Sequence, residues 1–477
     1  MDPLEALASA SFCRVADAQQ SNGNAVQILK DGPETFAAWL EAIGGASRTV
    51  DLENYILQDD PTGARFAEAL LAAAARGVAC RVLYDWLGCR TRTPKLFWER
   101  LRAGGVQVRV YNPPQLANPL RWISRDHRKV LCVDGTVAFT GGLCIGHDWM
   151  GDPARGIPPW RDTAVRLQGP AVSHLVEAFE DSWEAVAHNR LGSGIEADLA
   201  PAPAPGPDAP GGIDVSVIAG RPERMALYRL EQLVAEIAQH RLWLTDGYFV
   251  ATTAYVRALA QAAQAGVDVR LLVPGSSDWP IVGALSKTAY RPLLEAGVRV
   301  FEWNGPMVHA KTAVADGCWT RIGSSNSNLA SWIGNRELDV TIKDHDLARQ
   351  MEAMFEDDMR NATEVVLARG QTGVERPVMA QARQGSGRSR SSSRFLSGAI
   401  GLGSTLTASF TRRRQLRSDE SLVVFAGGAA LVVLAVLVLL LPHLFSWLIA
   451  IIAVWSAAGM LTNAARLWRT GAARRGA

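Results

Sequence analysis

The chain has almost no net charge, few cysteines and no apolar run near its start, and each shortage narrows what it can be. A formal charge of +2 provides no global basic excess, so charge alone argues neither for nor against a nucleic-acid partner. The six cysteines, Cys13, Cys80, Cys89, Cys132, Cys144 and Cys318, include no CxxC pair, and four lie in apolar, strand-like stretches. That is the pattern of buried free thiols in a reducing compartment, with neither a disulfide frame nor a zinc site indicated. Asp2 and Glu5 stand where a signal peptide would need an apolar core, so no cleaved leader is expected. Ala10-Ser11-Phe12-Cys13 makes a poor lipidation site, because Phe12 is bulky and no hydrophobic run precedes it. Nor is there an Asp/Glu cluster with Mg²⁺ or Ca²⁺ spacing beside the motifs described next. Chemistry without a metal or an organic cofactor is expected.

What is present is one short pattern that occurs twice. His127, Lys129 and Asp134 form an H-x-K-x4-D run, and His309, Lys311 and Asp316 form another. Past a stretch of six residues after each Asp comes a small-residue pair, Gly141-Gly142 in one copy and Gly323-Ser324 in the other. At average residue usage a given His meets this Lys and Asp by chance on the order of once in a thousand. Taken singly, either copy reads as solvated strand residues; two copies with matching flanks read as a duplicated enzyme half.

Further elements repeat in the same order. Residues 46–55, 67–76 and 77–85 give strand, helix and strand patterns, echoed by 242–248, 254–264 and 266–273. An Ala-Gly strand start at 103–108 recurs at 296–300. Strands alternating with helices of this length predict two tandem α/β halves, each a mixed sheet with flanking helices, related by pseudo-twofold symmetry. The expected divisions are an N-terminal segment 1–24, halves at 25–191 and 214–368, and a Pro/Ala/Gly linker at 192–213. A basic Ser/Arg/Gly tether at 369–420, a membrane hairpin at 421–463 and a basic tail at 464–477 follow.

The tether holds eight arginines between 383 and 417 and no acid there. Residues 421–441 carry no charge over a length that suits one bilayer crossing, and 444–461 form a second apolar run beyond Pro442. Arginines flank both outer sides, which predicts a hairpin with both termini in the cytoplasm. A re-entrant hairpin, or two very apolar core helices, would share this pattern.

On a strand, residues i and i+2 share a face, so His and Lys of each copy point into one cleft. Two imidazoles suffice for double displacement at phosphorus: one forms a phosphohistidine, and the other protonates the leaving oxygen and then activates the acceptor. The lysines neutralise the developing charge on the phosphate oxygens. Asp134 and Asp316 complete the motif but precede Gly135 and Gly317, which favours a turn-forming role.

These runs resemble the phospholipase D superfamily, and within it the bacterial cardiolipin synthases, over roughly residues 25–368. His127 through Gly142 is similar to the first family signature, and His309 through Asn326 to the second. Pro159-Trp160-Arg161-Asp162 and Asn335-Arg336-Glu337-Leu338 match downstream family segments. The resemblance implies that Asp162 and Glu337 each orient an imidazole, although either could be an ordinary ion-pair carboxylate. It also implies that Lys129, Lys311, Asn326, Ser324 and Gly142 hold the substrate phosphate. The family most often uses the N-terminal histidine as nucleophile, here His127. Cys144 departs from the pattern, standing where Asn326 stands in the second copy. Tyr55 and Tyr248 sit at matching strand ends, facing the cleft or closing the core edge. Trp149, Trp279 and Trp332 are candidates for a lipid-facing rim.

The motif specifies phosphodiester transfer without naming the substrate. A phosphatidyl transferase making cardiolipin, a phospholipase D using water, a nuclease of the same superfamily and an inactive membrane scaffold all fit the fold. The membrane hairpin favours a substrate in the same bilayer. The expectation is a transferase taking phosphatidylglycerol or a related lipid at an anionic bacterial inner-membrane surface, with the catalytic part cytoplasmic and no nucleic-acid partner.

Overall fold

The computed structural model describes residues 15–114, 124–187, 212–222 and 224–367, with the backbone of 413–415. The chain divides into two compact units, residues 1–111 with 126–416, and residues 112–125 with 417–477. Of the second unit only 112–114 and 124–125 are described; there the Asn112 amide donates to the Ser124 carbonyl at 3.0 Å.

The first unit carries both halves. The first runs through β1 (Gln19–Lys30), β2 (Thr49–Asn54), β3 (Ala79–Asp85), β4 (Gln107–Tyr111), β5 (Lys129–Val133), β6 (Val137–Gly141) and β7 (Thr163–Gln168). The second runs through β8 (Ile213–Gly220), β9 (Arg241–Asp246), β10 (Asp268–Pro274), β11 (Arg299–Trp303), β12 (Lys311–Ala315), β13 (Trp319–Gly323), β14 (Glu337–Lys343) and β15 (Ala362–Val366). All lie in one sheet, with Arg413–Gln415 paired beyond β15. Outward from the antiparallel pair β1–β8, one side reads β7, β6, β5, β2, β3, β4 and the other β14, β13, β12, β9, β10, β11. Each of these fourteen strands thus has its counterpart at the same distance from the centre, as the expected pseudo-twofold requires, while β15 extends the second half alone. β2–β3–β4 and β9–β10–β11 are parallel and the inner strands antiparallel, so the sheet is mixed.

Local chemistry explains the elements. Helix Pro61–Ala75 starts where Asp60 caps the Gly63 amide at 2.8 Å and Pro61 supplies a preset φ; Phe66, Ala67, Leu70 and Ala73 fall on its buried face. Helix Thr253–Gln264 is capped by the Thr252 hydroxyl. β5 and β12 are buried at every position, which is why 129–133 and 311–315 contain no exposed polar residue.

A core in each half packs its helices on the sheet, through residues such as Phe36, Trp39 and Phe66, or Leu230, Tyr255 and Leu259. A third core is shared: Phe179 and Trp183 from helix Ala171–Ala187 join Met351 and Phe355 from helix His345–Arg360. Each of these central helices takes an arginine from the opposite half. Arg161 Nε meets Asp358 at 2.8 Å, and Arg336 pairs with Asp181.

The five cysteines among the described residues are buried and free. Most of the expected linker, the tether and the membrane hairpin lie outside the described residues. No helix among the described residues is long and apolar enough to cross a membrane.

Arg161 and Asp358 are each only 4% exposed, so removing Asp358 costs Arg161 a buried partner that solvent cannot replace, although Asp31 at 3.2 Å and Thr163 at 3.0 Å still hold it. Asp358→Leu is expected to lower unfolding free energy by about 1–3 kcal/mol, because Asp31 still pairs with Arg161. Arg161→Met/Asp358→Leu should recover much of that loss in chemical denaturation followed by circular dichroism.

Candidate active site

The two motif lysines open the innermost buried strands. Lys129 begins β5 opposite Asn54 at the end of β2, and Lys311 begins β12 opposite Asp246 at the end of β9. Each histidine lies just before its strand. There the backbone is pinned across the halves: the His127 amide donates to the Arg336 carbonyl at 2.9 Å, and the His309 amide to the Arg161 carbonyl at 2.7 Å. The lysines fold back on their own motifs, Lys129 Nζ donating to the His127 carbonyl at 2.5 Å and Lys311 Nζ to the His309 carbonyl.

The imidazoles are held by exchanged carboxylates. His127 Nδ1 lies 2.9 Å from Glu337 Oε2, and His309 Nδ1 lies 2.8 Å from Asp162 Oδ2. An ionised carboxylate only accepts, so each Nδ1 carries the hydrogen and each Nε2 keeps its lone pair. Glu337 also accepts from the Ser324 hydroxyl at 2.5 Å, and Asp162 from the Trp149 indole at 2.9 Å and the Thr163 amide at 2.8 Å. Tyr55 meets His127 edge to face at 4.9 Å, and Tyr248 meets His309 at 5.6 Å. Trp149 and Trp160 enclose His309 further, with ring centres at 5.3 and 5.8 Å.

Burial and the two lysines set the charges. Burial, then Lys311, drives His309 down to about 3 against the opposing pull of Asp162. Burial lowers His127 as well, and both Lys129 and Lys311 add to it against Glu337. Each imidazole feels both lysines, as one common site requires. Burial also lowers Lys311, to about 8, against Asp162 and Asp246. For Asp162 and Glu337 burial pushes up, but His309 and His127 respectively, with the lysines, outweigh it and keep both carboxyls below their ordinary range. The free protein therefore presents two neutral imidazoles with open Nε2 atoms beside buried lysines.

The remaining predicted residues divide. Asn326 is 5% exposed, and its Oδ1, an acceptor, has no hydrogen-bond partner among the described residues. Cys144, its counterpart, is buried, and its thiol is pushed up by burial against the influence of Lys129. Ser324 is spoken for: its hydroxyl serves Glu337 and accepts from the Leu338 amide at 2.9 Å, so its expected phosphate contact is replaced by support of the carboxylate. Gly142 corrects in the same way. Its amide bonds the Thr163 carbonyl at 3.2 Å, and a Cβ there would lie 2.2 Å from Asp162 Oδ1. Glycine is required so that Asp162 can approach.

Asp134 and Asp316 stand apart from the chemistry, at the far ends of β5 and β12. A strand rises about 3.3 Å per residue, which puts them well over 10 Å from the lysines. Both adopt left-handed φ, 54° and 48°. Asp134 accepts from the amides of Ser47, Arg48 and Thr49, and Asp316 from those of Gln239, His240 and Arg241. They are turn anchors, and their place in the catalytic set is corrected.

Trp149 and Trp332 are likewise buried, Trp332 donating to Glu231 at 3.1 Å; Trp279 is exposed. Two features escaped the sequence reading. The exchange of carboxylates between halves has no sequence signal, since spacing cannot tell which imidazole a carboxylate reaches. The Asn54/Asp246 difference beside the lysines is visible only once the strand ends are paired.

Two α/β halves about a pseudo-twofold, each giving one His-x-Lys to a single buried site, define an enzyme of the phospholipase D superfamily. The family model described as "Cardiolipin synthase, PLD-like domain" matches residues 39–148 and 233–359. The chain is 34% identical over 346 residues to cardiolipin synthase A of Pseudomonas aeruginosa, covering 72% of this chain and 68% of that protein. It is 32% identical over 358 residues to a cardiolipin synthase of Geobacillus thermodenitrificans, covering 74% and 69%. Among solved structures it is similar in fold to a phosphatidylserine synthase of Haemophilus influenzae, with a TM-score of 0.58 and 13% identity over 75% of this chain and 91% of that one. The chain belongs to the cardiolipin synthase family of phospholipase D-like enzymes.

Asp134→Asn keeps the left-handed preference but removes an acceptor oxygen, and is expected to cost about 1–3 kcal/mol of stability with little change in turnover. Burial pushes Asp134 up, yet its bonds from Thr49, Ser47 and Arg48 hold its carboxyl below the usual range. A lowered folded pKa stabilises above the unfolded pKa, and that contribution is lost as pH falls through the folded pKa. The stability gap between wild type and Asp134→Asn should therefore be flat near neutrality and shrink below about pH 4 in urea melts.

Proposed function

We propose that this chain is a membrane-tethered phosphatidyl transferase of the cardiolipin synthase type. It moves a phosphatidyl group from phosphatidylglycerol, or a related phospholipid, to a lipid hydroxyl through a phosphohistidine. The observation that carries the reading is the pair of neutral imidazoles, each fixed through Nδ1 by a buried carboxylate, sharing one site with Lys129 and Lys311. Membership in the cardiolipin synthase family supplies the substrate class.

His127 Nε2 attacks phosphorus, an assignment resting on the family resemblance. The P–O bond to the leaving alcohol breaks as His309 delivers a proton to that oxygen. The acceptor hydroxyl then gives its proton to His309 and attacks phosphorus, and the P–N bond breaks to regenerate His127. The arriving phosphodiester anion offsets the lysine charges, which raises His309 toward the range where it holds a proton; Asp162 stabilises the imidazolium as it forms. Lys129, Lys311 and Asn326 hold the phosphate oxygens. The apolar runs 421–441 and 444–461 anchor the catalytic part to the cytoplasmic face of an inner membrane, and the basic tether draws it to anionic lipid.

The test is lipid mass spectrometry of a cardiolipin-free bacterial host expressing this chain, beside His309→Ala. Cardiolipin that appears only with the intact protein supports the transferase. A rise in phosphatidic acid alone makes water the acceptor, and no lipid change returns the chain to a nuclease-type reading. Phosphoenzyme mapping should find the label on His127; label on His309 reverses the roles.

Two kinetic outcomes are expected. Asp162→Asn and Glu337→Gln should each lower kcat by about 10²–10⁴ with folding intact, because the imidazole loses its tautomer and its counter-charge. Lys311 loses its proton near pH 8, so kcat/KM should fall as pH rises through about 8. Bound phosphate favours the ammonium form, so the corresponding limb in kcat should lie at higher pH.

A further inference from the structure

The apolar surface of this protein is unevenly placed. Eight large apolar side chains are exposed among the described residues, and seven follow the strand ends that face the active site. Leu87 and Leu96 come after β3, Trp279, Ile281 and Leu285 after β10, and Leu329 and Ile333 after β13. The opposite edge carries the polar turns at Asp134 and Asp316. Scattered exposure would not segregate in this way.

The segment after β10 is the clearest. Helix Pro280–Thr288 is turned inside out: its buried residue is Ser286, while Ile281 and Leu285, four residues apart on one face, point to the surface. A helix on a water-facing surface buries its apolar face, so this one is shaped for a non-aqueous neighbour. Trp279, 65% exposed, and Ile281, 75% exposed, extend the same surface. The patch is continuous with the site. Tyr248, whose ring meets His309, donates its hydroxyl to Asp278 at 2.8 Å, and its carbonyl accepts from Asn328 at 3.0 Å beside Leu329. On the other side of the site, Leu87 and Leu96 are accompanied by exposed Arg90 and Lys95.

We propose that this rim inserts into the interfacial layer of an anionic phospholipid bilayer, docking the catalytic unit directly on its substrate surface. Apolar side chains enter between the headgroups, while Arg90 and Lys95 meet lipid phosphates. The inference rests on the phospholipid reading above and adds a second contact, independent of the C-terminal runs. It places the mouth of the site level with the headgroups, so a lipid phosphate reaches Lys311 without its chains leaving the bilayer.

The test uses the full chain in vesicles containing phosphatidylglycerol. A Cys13→Ser background, the five described cysteines being buried, carries Ile281→Cys or, as control, exposed Asp346→Cys, each labelled with an environment-sensitive fluorophore. The label at 281 should shift to shorter wavelength and be quenched by nitroxides on lipid acyl chains, and the label at 346 should do neither. A water-like signal at 281 overturns the proposal. So does a shifted signal without nitroxide quenching, which means that the C-terminal segment or a second copy covers the patch. This readout stands whether or not the protein transfers lipid, so it fails separately from the functional reading. Ile281→Ser/Leu285→Ser should also lower turnover of vesicle phospholipid by roughly tenfold or more, given the apolar area withdrawn from the bilayer. Turnover of a dissolved short-chain phosphodiester should stay unchanged; an equal loss on both substrates overturns the proposal.

Discussion

Everything in the catalytic centre depends on two exchanged contacts, Glu337 to His127 and Asp162 to His309. Neither half holds its own imidazole. The cost of burying a carboxylate is plain elsewhere in the same core. Asp339 is pushed up to about 6, and Glu231 to about 7 although Arg321 lies against it. Asp162 and Glu337 are equally buried yet stay ionised, because each faces an imidazole and lysine charge together. The electrostatics therefore close only when both halves are folded and joined. The shared core and the reciprocal Arg161–Asp358 and Arg336–Asp181 pairs join them.

Much of this was legible in the chain. The duplicated His-x-Lys runs, the Gly-rich flanks and the repeated strand–helix–strand order gave the two halves and the strand ends that carry the site. Helix Pro61–Ala75 began earlier than its apolar pattern suggested, because the Asp60 cap and Pro61 extend it by nearly two turns. The parts that stayed hidden were tertiary. Ser324 and Gly142 sit in the signature as if to bind phosphate, yet their work is to support and admit a carboxylate. Asp134 and Asp316 read ambiguously because an aspartate before glycine serves a turn and a catalytic site with the same spelling. Trp149 read as a candidate for a lipid-facing rim and proved to be a buried hydrogen-bond partner of Asp162.

The halves are alike in topology and unlike in charge. Lys311 faces Asp246 across the ladder where Lys129 faces Asn54. Asn326, its Oδ1 unpartnered among the described residues, stands where the other half has the Cys144 thiol. Among the described residues, two tryptophans and a tyrosine wall His309, and a tyrosine meets His127. The proposed double displacement asks different things of its two imidazoles, and these differences would give the site a means of telling them apart.

The antiparallel β1–β8 pair has a consequence for ancestry. Two identical single-half chains meeting through such a strand would form a closed, isologous dimer, with each chain completing the other's site. In that arrangement any change near one histidine is copied to both. Fusing the copies into one polypeptide releases this constraint, because Asp246 or Cys144 can then change alone. The covalent connection between the halves is what permits a division of labour: under the proposed mechanism one imidazole can specialise for attack on phosphorus and the other for proton exchange with both the departing and the incoming alcohol.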